Sequence, residues 1–239
     1  MRPVGCKLNE MKQLLTFIIC LIVSGCGSQY ENDKYPDGTC DCEKLTGPVG
    51  GWKMNNQLYT GKCVTYYENG NKESEADFLD GKIHGHMISY YPNGNIEEDS
   101  EWINGEAAGV TLNYLESGKL STKTTSVNSI DGNHSGYIKY YFESGQLSEE
   151  GQVIDDLKEG VWKVYYENGQ LMSFENWRNN VMVDSSIGYF MDGTLQMNGY
   201  WNNGIPDGKW TFYDSITGKV DGYLIYENGQ PTERLKADE

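Results

Sequence analysis

The sequence predicts an all-β protein, an elongated meander of tandem β-hairpins with about seven units of 24 residues. Three observations predict this fold. Strand-forming residues alternate in short runs, each run ends at a glycine-containing turn, and the pattern recurs at a fixed interval. Residues 160–171 illustrate the unit, because six or seven strand-type residues lead into Asn168-Gly169. An Asn-Gly pair favours a type I′ hairpin turn, since both central residues need a positive φ.

Seven copies of the unit align between residues 61 and 230. Their starts are 24 residues apart, except for one step of 27, and fall at Gly61, Gly85, Gly109, Gly136, Gly160, Asp184 and Gly208. Five residues after each start comes a tyrosine: Tyr66, Tyr90, Tyr114, Tyr141, Tyr165, Tyr189 and Tyr213. Nine residues after each of the first six starts comes a glycine: Gly70, Gly94, Gly118, Gly145, Gly169 and Gly193. One extra residue in the seventh unit moves its glycine to Gly218.

A second turn and a second apolar column complete the unit. The turn follows about eleven residues later, at Asp80-Gly81, Asn104-Gly105, Asp131-Gly132, Asp155-Asp156, Asn179-Asn180, Asn203-Gly204 and Asn228-Gly229. The apolar column before it contains Phe78, Trp102, Val127, Val153, Trp177, Trp201 and Tyr226. Each unit therefore has two strands, about fourteen in all, and short turns join such strands into an antiparallel meander roughly 65 Å long. A single hairpin cannot bury its own face, so both aromatic columns are expected to pack between units.

The third unit is irregular. It has three extra residues within 121–133, a run of Thr and Ser, and Leu115 where other units have a second aromatic residue. We expect a longer hairpin tip or a bulge there, with a local bend in the array.

The N-terminus predicts export. An apolar run at residues 14–23 is too short to span a bilayer. The sequence Val23-Ser24-Gly25-Cys26 then resembles a bacterial lipobox, which implies a lipoprotein signal peptide at residues 1–25, cleavage before Cys26 and diacylation of that cysteine. The alternative is a plain secretory signal. The lipobox reading places the protein in the bacterial cell envelope, on the periplasmic or cell-surface side, anchored by lipid rather than spanning the membrane.

Residues 26–56 are predicted to form a polar tether and an N-terminal cap, residues 57–230 the repeat domain, and residues 231–239 a charged tail that frays. An exported protein permits disulfides. Three cysteines, Cys40, Cys42 and Cys63, allow one pair, in which Cys40 or Cys42 joins Cys63 and clips the leader to the first hairpin. A Cys-x-Cys metal site is the alternative, although no fourth ligand has the usual spacing.

The chain is strongly acidic, with a formal net charge of −16. Removal of residues 1–25, which contain three basic residues and one acidic residue, leaves 16 basic and 34 acidic residues, a net charge of −18. Nucleic acid and anionic lipid headgroups would be repelled. A cationic protein, a cationic small molecule or a neutral glycan remains compatible with this charge. The acidity equally serves to keep a long β-sheet soluble and its edges unpaired.

The repeat resembles the MORN repeat variant of bacterial proteins. The resemblance is carried by 160–170, 208–213, 66–71 and 201–208, and it covers about 170 of the 239 residues. Bacterial chains of such units are often grouped as YwqK-family antitoxins, which implies that this chain binds a protein partner such as a secreted toxin. Eukaryotic MORN proteins are linked to phospholipid binding, and the acidic charge argues against that role here.

A search for catalytic chemistry is negative. The sequence contains no nucleophile elbow, P-loop, zincin or dinucleotide-binding motif, so we expect no enzyme, no cofactor and no resident metal. His84 and His86 are two residues apart and would share one face of a strand. Their position near a turn favours solvated histidines over metal ligands. The acidic residues are scattered and do not single out a carboxylate pair for glycoside hydrolysis.

Two functions from different classes remain. The first is a protein-interaction scaffold, with a toxin or an envelope protein as its unidentified partner. The second is a binder of glycans or quaternary amines, in which exposed aromatic rings hold the ligand by stacking and cation–π contact. The candidate binding face for either consists of Tyr67, Tyr91, Trp162, Tyr166 and Trp210. Burial of these rings between units would remove the site of the second function.

Overall fold

A computed structural model describes residues 39–47, 50–127 and 135–237. The predicted signal peptide, the lipidation site Cys26 and the turn Asp131-Gly132 lie outside the described residues. The first elements are β1 (Cys40–Asp41), a 3₁₀ turn (Cys42–Lys44), β2 (Lys53–Met54) and β3 (Gln57–Leu58). The first half of the repeat domain contains β4 (Gly61–Tyr66), β5 (Lys72–Leu79), β6 (Lys82–Tyr90), β7 (Ile96–Ile103), β8 (Glu106–Tyr114) and β9 (Leu120–Val127). The second half contains β10 (Ser135–Tyr141), β11 (Leu147–Ile154), β12 (Leu157–Tyr165), β13 (Leu171–Arg178), β14 (Val181–Met182), β15 (Asp184–Tyr189), β16 (Leu195–Asn202), β17 (Ile205–Tyr213), β18 (Val220–Glu227) and β19 (Gln230–Lys236).

The strands form one long antiparallel meander. Each strand from β4 to β13 pairs with the next one along the chain, β13 pairs with both β14 and β15, and the order then continues to β19. Strand β1 adds to β4 in parallel. The predicted all-β meander of tandem hairpins is therefore confirmed, because short turns leave only sequence neighbours within pairing distance.

The C-terminal segment differs from the prediction. Residues 231–239 were expected to fray as a charged tail, but Gln230–Lys236 forms β19 and pairs with β18 from Gly222 to Glu227. All seven residues of β19 are exposed. The backbone hydrogen bonds of the ladder, rather than side-chain burial, hold this strand in place.

The second turn of the unit is of type I′ in each described copy. Both central residues have a positive φ, for example 49° and 78° at Asn203-Gly204 and 49° and 63° at Asp155-Asp156. A type I′ turn matches the twist of the flanking strands, which explains the choice of Asn, Asp and Gly at these positions.

The first turn is not of type I′, so the prediction for Asn168-Gly169 is wrong. Only Gly169 has a positive φ, 84°. Its N–H donates to the carbonyl of Tyr166 at 2.8 Å, and the N–H of Tyr166 donates to the carbonyl of Gln170 at 2.8 Å. This is the three-residue loop in which a type I turn is followed by a left-handed glycine that forms a bulge. An Asn-Gly pair is compatible with both kinds of turn. The first turn has three loop residues, 167–169, instead of the two of a type I′ hairpin, and this length selects the bulged turn.

The glycine that starts a unit lies in a second bulge. Gly85, Gly160 and Gly208 have φ values of 113°, 68° and 66°, at points where the ladder to the preceding strand shifts register. Asp184 replaces this glycine in the sixth unit and still adopts a φ of 59°. Gly136 is the exception, since β9 and β10 pair without a register shift. The longer hairpin tip or bulge expected within 121–133 falls largely on residues 128–134, which lie outside the described part of the chain.

An N-terminal cap covers the first hairpin. Its core contains Cys40, Leu45, Cys63, Ala76 and Phe78, all less than a tenth exposed. A disulfide joins Cys42 to Cys63, with a Cα–Cα distance of 5.0 Å. This is one of the two pairings that the sequence left open, and it fastens the 3₁₀ turn to β4. The described part of the predicted tether is therefore packed on the sheet, because the cap has to cover apolar side chains that no preceding unit covers.

Candidate functional site

The second tyrosine of the unit ties neighbouring first turns together. The hydroxyl of Tyr67 donates to the carbonyl of Tyr90 at 2.5 Å, and that of Tyr91 donates to Tyr114 at 2.8 Å. Tyr166 makes the same contact with Tyr189 at 2.8 Å. Each bond spans 23 residues, so each hydroxyl reaches the next unit. These three rings, predicted to form part of a binding face, are half-buried in contacts within the protein.

Asparagine side chains add to the same contacts. The side-chain amides of Asn69 and Asn71 both donate to the carbonyl of Pro92 at 2.8 Å. Asn93 and Asn95 repeat this arrangement with the carbonyl of Glu116. We call this row of tyrosine and asparagine contacts the turn ladder. Because these tyrosine hydroxyls and asparagine amides are hydrogen-bonded to the next unit, they are not free to hold a ligand.

Burial raises the pKa of Tyr67 above its ordinary value, and the nearby carboxylates Glu73 and Glu97 raise it further. The pKa of Tyr91 is raised for the same reasons, with Glu97 and Glu116 as its acidic neighbours. Both hydroxyls therefore remain protonated donors at neutral pH.

The two tryptophans of the predicted binding face are buried, which corrects the expectation that they are accessible. Trp162 is 0% exposed and Trp210 is 5% exposed. Each indole lies over a glycine of the preceding strand: a Cβ added to Gly151 would collide with Trp162, and one added to Gly199 would collide with Trp210. The pairing of a large ring with a glycine lets the indole lie flat on the sheet. The two rings serve packing between units, although neither belongs to the two aromatic columns of the repeat.

An aromatic cage exists beside Trp162, but the chain fills it. The ammonium of Lys158 lies 4.2 Å from the centroid of Trp162 and 4.8 Å from that of Trp177. Lys158 also forms an ion pair with Glu149. An ammonium close to two indole rings is a favourable cation–π arrangement. At Trp162, the place that a quaternary amine would take is thus occupied by a lysine of the protein.

Sequence reasoning missed Lys158. Its column holds Ile83, Ala107, Met182 and Pro206 in other units, so no repeat pattern marks the position. Its place opposite Val153, in the second rung after the second turn, was the available signal.

Two buried carboxylates lie on the other face of the sheet. Glu150 accepts from the Tyr165 hydroxyl at 2.7 Å and pairs with Lys139 at 2.9 Å. Burial raises the pKa of Glu150, but the hydrogen bonds from Tyr165 and Lys139 outweigh it and lower that pKa below its ordinary value. Glu150 therefore carries its charge at neutral pH and is neutralised by its partners. This is the behaviour of a structural ion pair rather than of a general acid.

Glu75 repeats this arrangement in the first unit. It pairs with Lys72 at 2.5 Å and with Lys62 at 3.4 Å. Burial raises its pKa, and the hydrogen bond from Lys72 together with the charge of Lys62 lowers it below the ordinary value.

The histidines of β6 have separate partners. Nδ1 of His86 lies 2.7 Å from Oδ1 of Asp99, and this hydrogen bond raises the pKa of His86. Nδ1 of His84 accepts from the backbone N–H of Asn104 at 3.4 Å. Within the described ranges, no group of three or more His, Cys, Asp or Glu side chains is placed to hold a metal ion. The alternative of a Cys-x-Cys metal site also fails, since Cys42 is in the disulfide.

Cys40, the other cysteine of that motif, is 0% exposed and lies opposite Cys63 in the pairing of β1 with β4. Its side chain contacts the hydroxyl of Tyr59, and burial together with that contact raises the pKa of Tyr59. Cys40 thus belongs to the core of the cap.

Much of the accessible surface that remains lies at the turns. The first turns carry an exposed carboxylate in five units, at Glu68, Glu116, Glu143, Glu167 and Asp192. The second turns carry exposed aliphatic side chains. The candidate functional site of this protein is therefore its repeated, acidic and partly apolar outer surface rather than a pocket.

None of the helices in the described part of the chain is both long enough and apolar enough to cross a membrane.

The comparison with known families agrees with this architecture. The MORN repeat variant matches residues 59–80, 83–104, 135–155 and 158–179. These segments are units 1, 2, 4 and 5 of the meander, shifted so that each ends at a second turn. No curated protein matches the chain. The chain thus contains four copies of the MORN repeat variant, in a repeat architecture often associated with binding or with membranes.

Proposed function

We propose that this chain is a non-enzymatic, lipid-anchored repeat protein that binds another protein through its extended β-sheet, in the manner of an antitoxin or immunity protein. One observation carries the proposal. Trp162 and Trp210 are used for packing between units, whereas charged and aliphatic side chains remain exposed at the same positions of several units. A long, regular row of exposed groups suits a macromolecular partner, which can contact several units at once.

The state of the buried ionisable groups supports a non-enzymatic role. Glu75 and Glu150 are each neutralised by lysines of the chain. A general acid or base needs a pKa near the working pH, and these carboxylates have lowered pKa values.

The net charge of −16 favours a partner with a positively charged surface. A protein with a basic surface would be steered toward the sheet, whereas nucleic acid would be repelled. A basic toxin or a basic envelope protein fits this condition.

The lipid anchor is proposed from residues 23–26, which resemble a lipobox. It is tested by growing cells that express the full chain with a radiolabelled fatty acid. Label in the wild-type chain and none in Cys26→Ala supports an anchored envelope protein. An unlabelled wild-type chain in the soluble fraction overturns that part of the proposal.

The binding function is tested by affinity capture with the full chain, tagged at its C-terminus, from envelope and secreted fractions, followed by mass spectrometry. One protein captured in stoichiometric amount and retained at about 0.5 M salt supports the scaffold. Toxicity of that protein when it is expressed alone, relieved by co-expression of this chain, supports the immunity role.

Retention of the chain on peptidoglycan or polysaccharide, with no captured protein, overturns the scaffold in favour of a glycan binder. The buried positions of Trp162 and Trp210 give a glycan no stacking platform at those residues. We therefore expect the first outcome.

A further inference from the structure

Aliphatic side chains form a row along the second-turn edge of the sheet. We call this row the aliphatic edge, and it consists of Leu79, Ile103, Leu157, Val181 and Ile205. These side chains are 43%, 55%, 36%, 39% and 46% exposed, in that order. Single exposed aliphatic residues are common, whereas a row repeated along one edge marks an interaction surface.

All five residues occupy the last rung before a type I′ turn. Leu79 pairs with Lys82, and Ile103 pairs with Glu106. In later units the aliphatic residue lies on the other strand of the same rung, with Leu157 opposite Ile154, Val181 opposite Arg178 and Ile205 opposite Asn202. Residues directly opposite each other share a face of the sheet. The aliphatic edge therefore lies on one face.

In the second half of the sheet, two members of the row lie beside a glycine of the next turn. Cγ1 of Val181 lies 3.4 Å from the position that a Cβ on Gly204 would occupy, and Cγ2 of Ile205 lies 2.5 Å from the corresponding position at Gly229. The missing side chains leave the aliphatic groups uncovered. Leu79 and Ile103 are two strands apart, about 9.6 Å, and so are the successive members Leu157, Val181 and Ile205. The third unit contributes no member among the described residues, so the row falls into these two stretches.

Carboxylates run parallel to this row. Asp77, Glu101, Glu159 and Asp207 each lie two residues from a member of the aliphatic edge, on the same strand. Residues two apart in a strand point to the same face. Three of these carboxylates accept backbone N–H groups, of His86, Val110 and Asn179, which fixes their position at the edge. An occupant of the edge therefore meets an apolar line with carboxylates beside it, interrupted by Lys82 and Arg178 on the rungs of Leu79 and Val181.

We propose that the aliphatic edge binds a basic amphipathic α-helix of the partner protein. Residues seven apart in a helix lie on one face and are separated by about 10.5 Å, close to the 9.6 Å step of the sheet. Leucine-type residues at this spacing contact successive members of the row, and Lys or Arg beside them contact the carboxylates. This inference rests on the proposed function, of which it names the partner's binding element.

The probe is a synthetic 21-residue peptide of Leu, Ala and Lys in which leucines form one helical face flanked by lysines. The control peptide has the same composition in scrambled order. Binding to the purified full chain is measured by fluorescence anisotropy. We expect the designed peptide to bind roughly tenfold more tightly than the scrambled one. Equal binding of the two peptides would show charge attraction alone and overturn the proposal.

The variant Leu157→Ser/Val181→Ser/Ile205→Ser tests the edge itself, and Met191→Ser/Ile216→Ser is its matched control. Met191 and Ile216 are 60% and 92% exposed, and both lie in first turns. We expect the triple variant to lose roughly tenfold in affinity for the designed peptide and the control to keep it. Unchanged binding by the triple variant overturns the proposal. Circular dichroism and the melting temperature establish that each variant is folded.

Vesicles of phosphatidylcholine test the other occupant of an apolar edge. Co-sedimentation that depends on Leu157, Val181 and Ile205, with no peptide binding, would assign the edge to a lipid surface and overturn the helix. Capture experiments separate this inference from the proposed function. If the wild-type chain and the triple variant capture the same stoichiometric partner equally, the scaffold function stands and the helix-binding edge is wrong.

Discussion

The two turn edges of the sheet are built from turns of similar composition, yet they differ in how units are joined. At the first-turn edge, tyrosine hydroxyls and asparagine amides bind the backbone of the next unit. At the second-turn edge, the backbone N–H groups of Gly105 and Gly204 donate to the carbonyls of Ile83 and Met182 in the preceding turn region, and aliphatic side chains remain partly exposed. The first-turn edge therefore joins units through side chains, whereas the second-turn edge joins them through the backbone and leaves aliphatic side chains at the surface.

The largest expected effect removes the turn ladder. The variant Tyr67→Phe/Tyr91→Phe/Tyr166→Phe loses three hydroxyl donors and leaves three carbonyls of the next units unsatisfied. At about 1 kcal/mol for each hydrogen bond, the free energy of unfolding should fall by roughly 3 kcal/mol in urea titrations.

The matched control is the triple serine variant of the aliphatic edge. Exposed substitutions usually change stability by less than about 0.5 kcal/mol each. If the serine variant were destabilised as strongly as the phenylalanine variant, the side chains of the second-turn edge would join units as strongly as those of the first-turn edge. The difference between the two edges would then be wrong.

A smaller, opposite effect is expected where the ladder is interrupted. Phe142 occupies the tyrosine position in the fourth unit, and its backbone makes the same turn hydrogen bonds as Tyr166. In Phe142→Tyr the new hydroxyl would face the carbonyl of Tyr165, 23 residues on. We expect a gain of about 0.5–1 kcal/mol in unfolding free energy. Loss of stability would mean that the fourth unit is joined to the fifth in another way.

The difference in turn type predicts opposite responses to glycine. Asp156 has a φ of 63° in a type I′ turn, so Asp156→Gly should relieve strain and stabilise by about 0.5 kcal/mol. Ser144 precedes Gly145 in a first turn and is outside the positive-φ residues. Ser144→Gly should therefore destabilise by about 0.5 kcal/mol, since it adds only chain entropy to the unfolded state. Thermal melts of the two variants side by side measure the contrast.

The smallest expected effect is a dependence on alkaline pH. The pKa values of Tyr67 and Tyr91 are raised above the ordinary 10.0. A group with a raised pKa in the folded state contributes stability that is present below the unfolded pKa and is lost as the pH rises through the folded pKa. Stability should thus begin to fall near pH 10. The phenylalanine variant of the turn ladder should show a shallower fall in urea titrations between pH 9 and 11, and an unchanged slope would contradict this assignment.

The sequence predicted where the aromatic residues of the candidate site lie along the repeat. It did not predict which of them pack inside the protein and which remain accessible. The second apolar column was assigned to packing between units, and its members Phe78 and Trp102 are indeed buried. Trp162 and Trp210, which belong to neither column, are buried as well. Their place on a candidate binding face was wrong, because the glycines that receive them, Gly151 and Gly199, are not marked by the repeat. The repeat pattern does not reveal the aliphatic edge. Its members come before the second turn in the first two units and after it in later units, so they do not share one column of the repeat.

The sequence by itself determined the all-β meander, the seven units and the location of every described turn within the repeats. These depend on local propensity and on a periodicity that is visible in one dimension. Only the tertiary structure decided the type of the first turn, the filling of the Trp162–Trp177 cage by Lys158, and the order of Gln230–Lys236 as a strand. The physical reason is that each of these depends on contacts across the sheet, where the environment of a residue is set by its neighbours on adjacent strands.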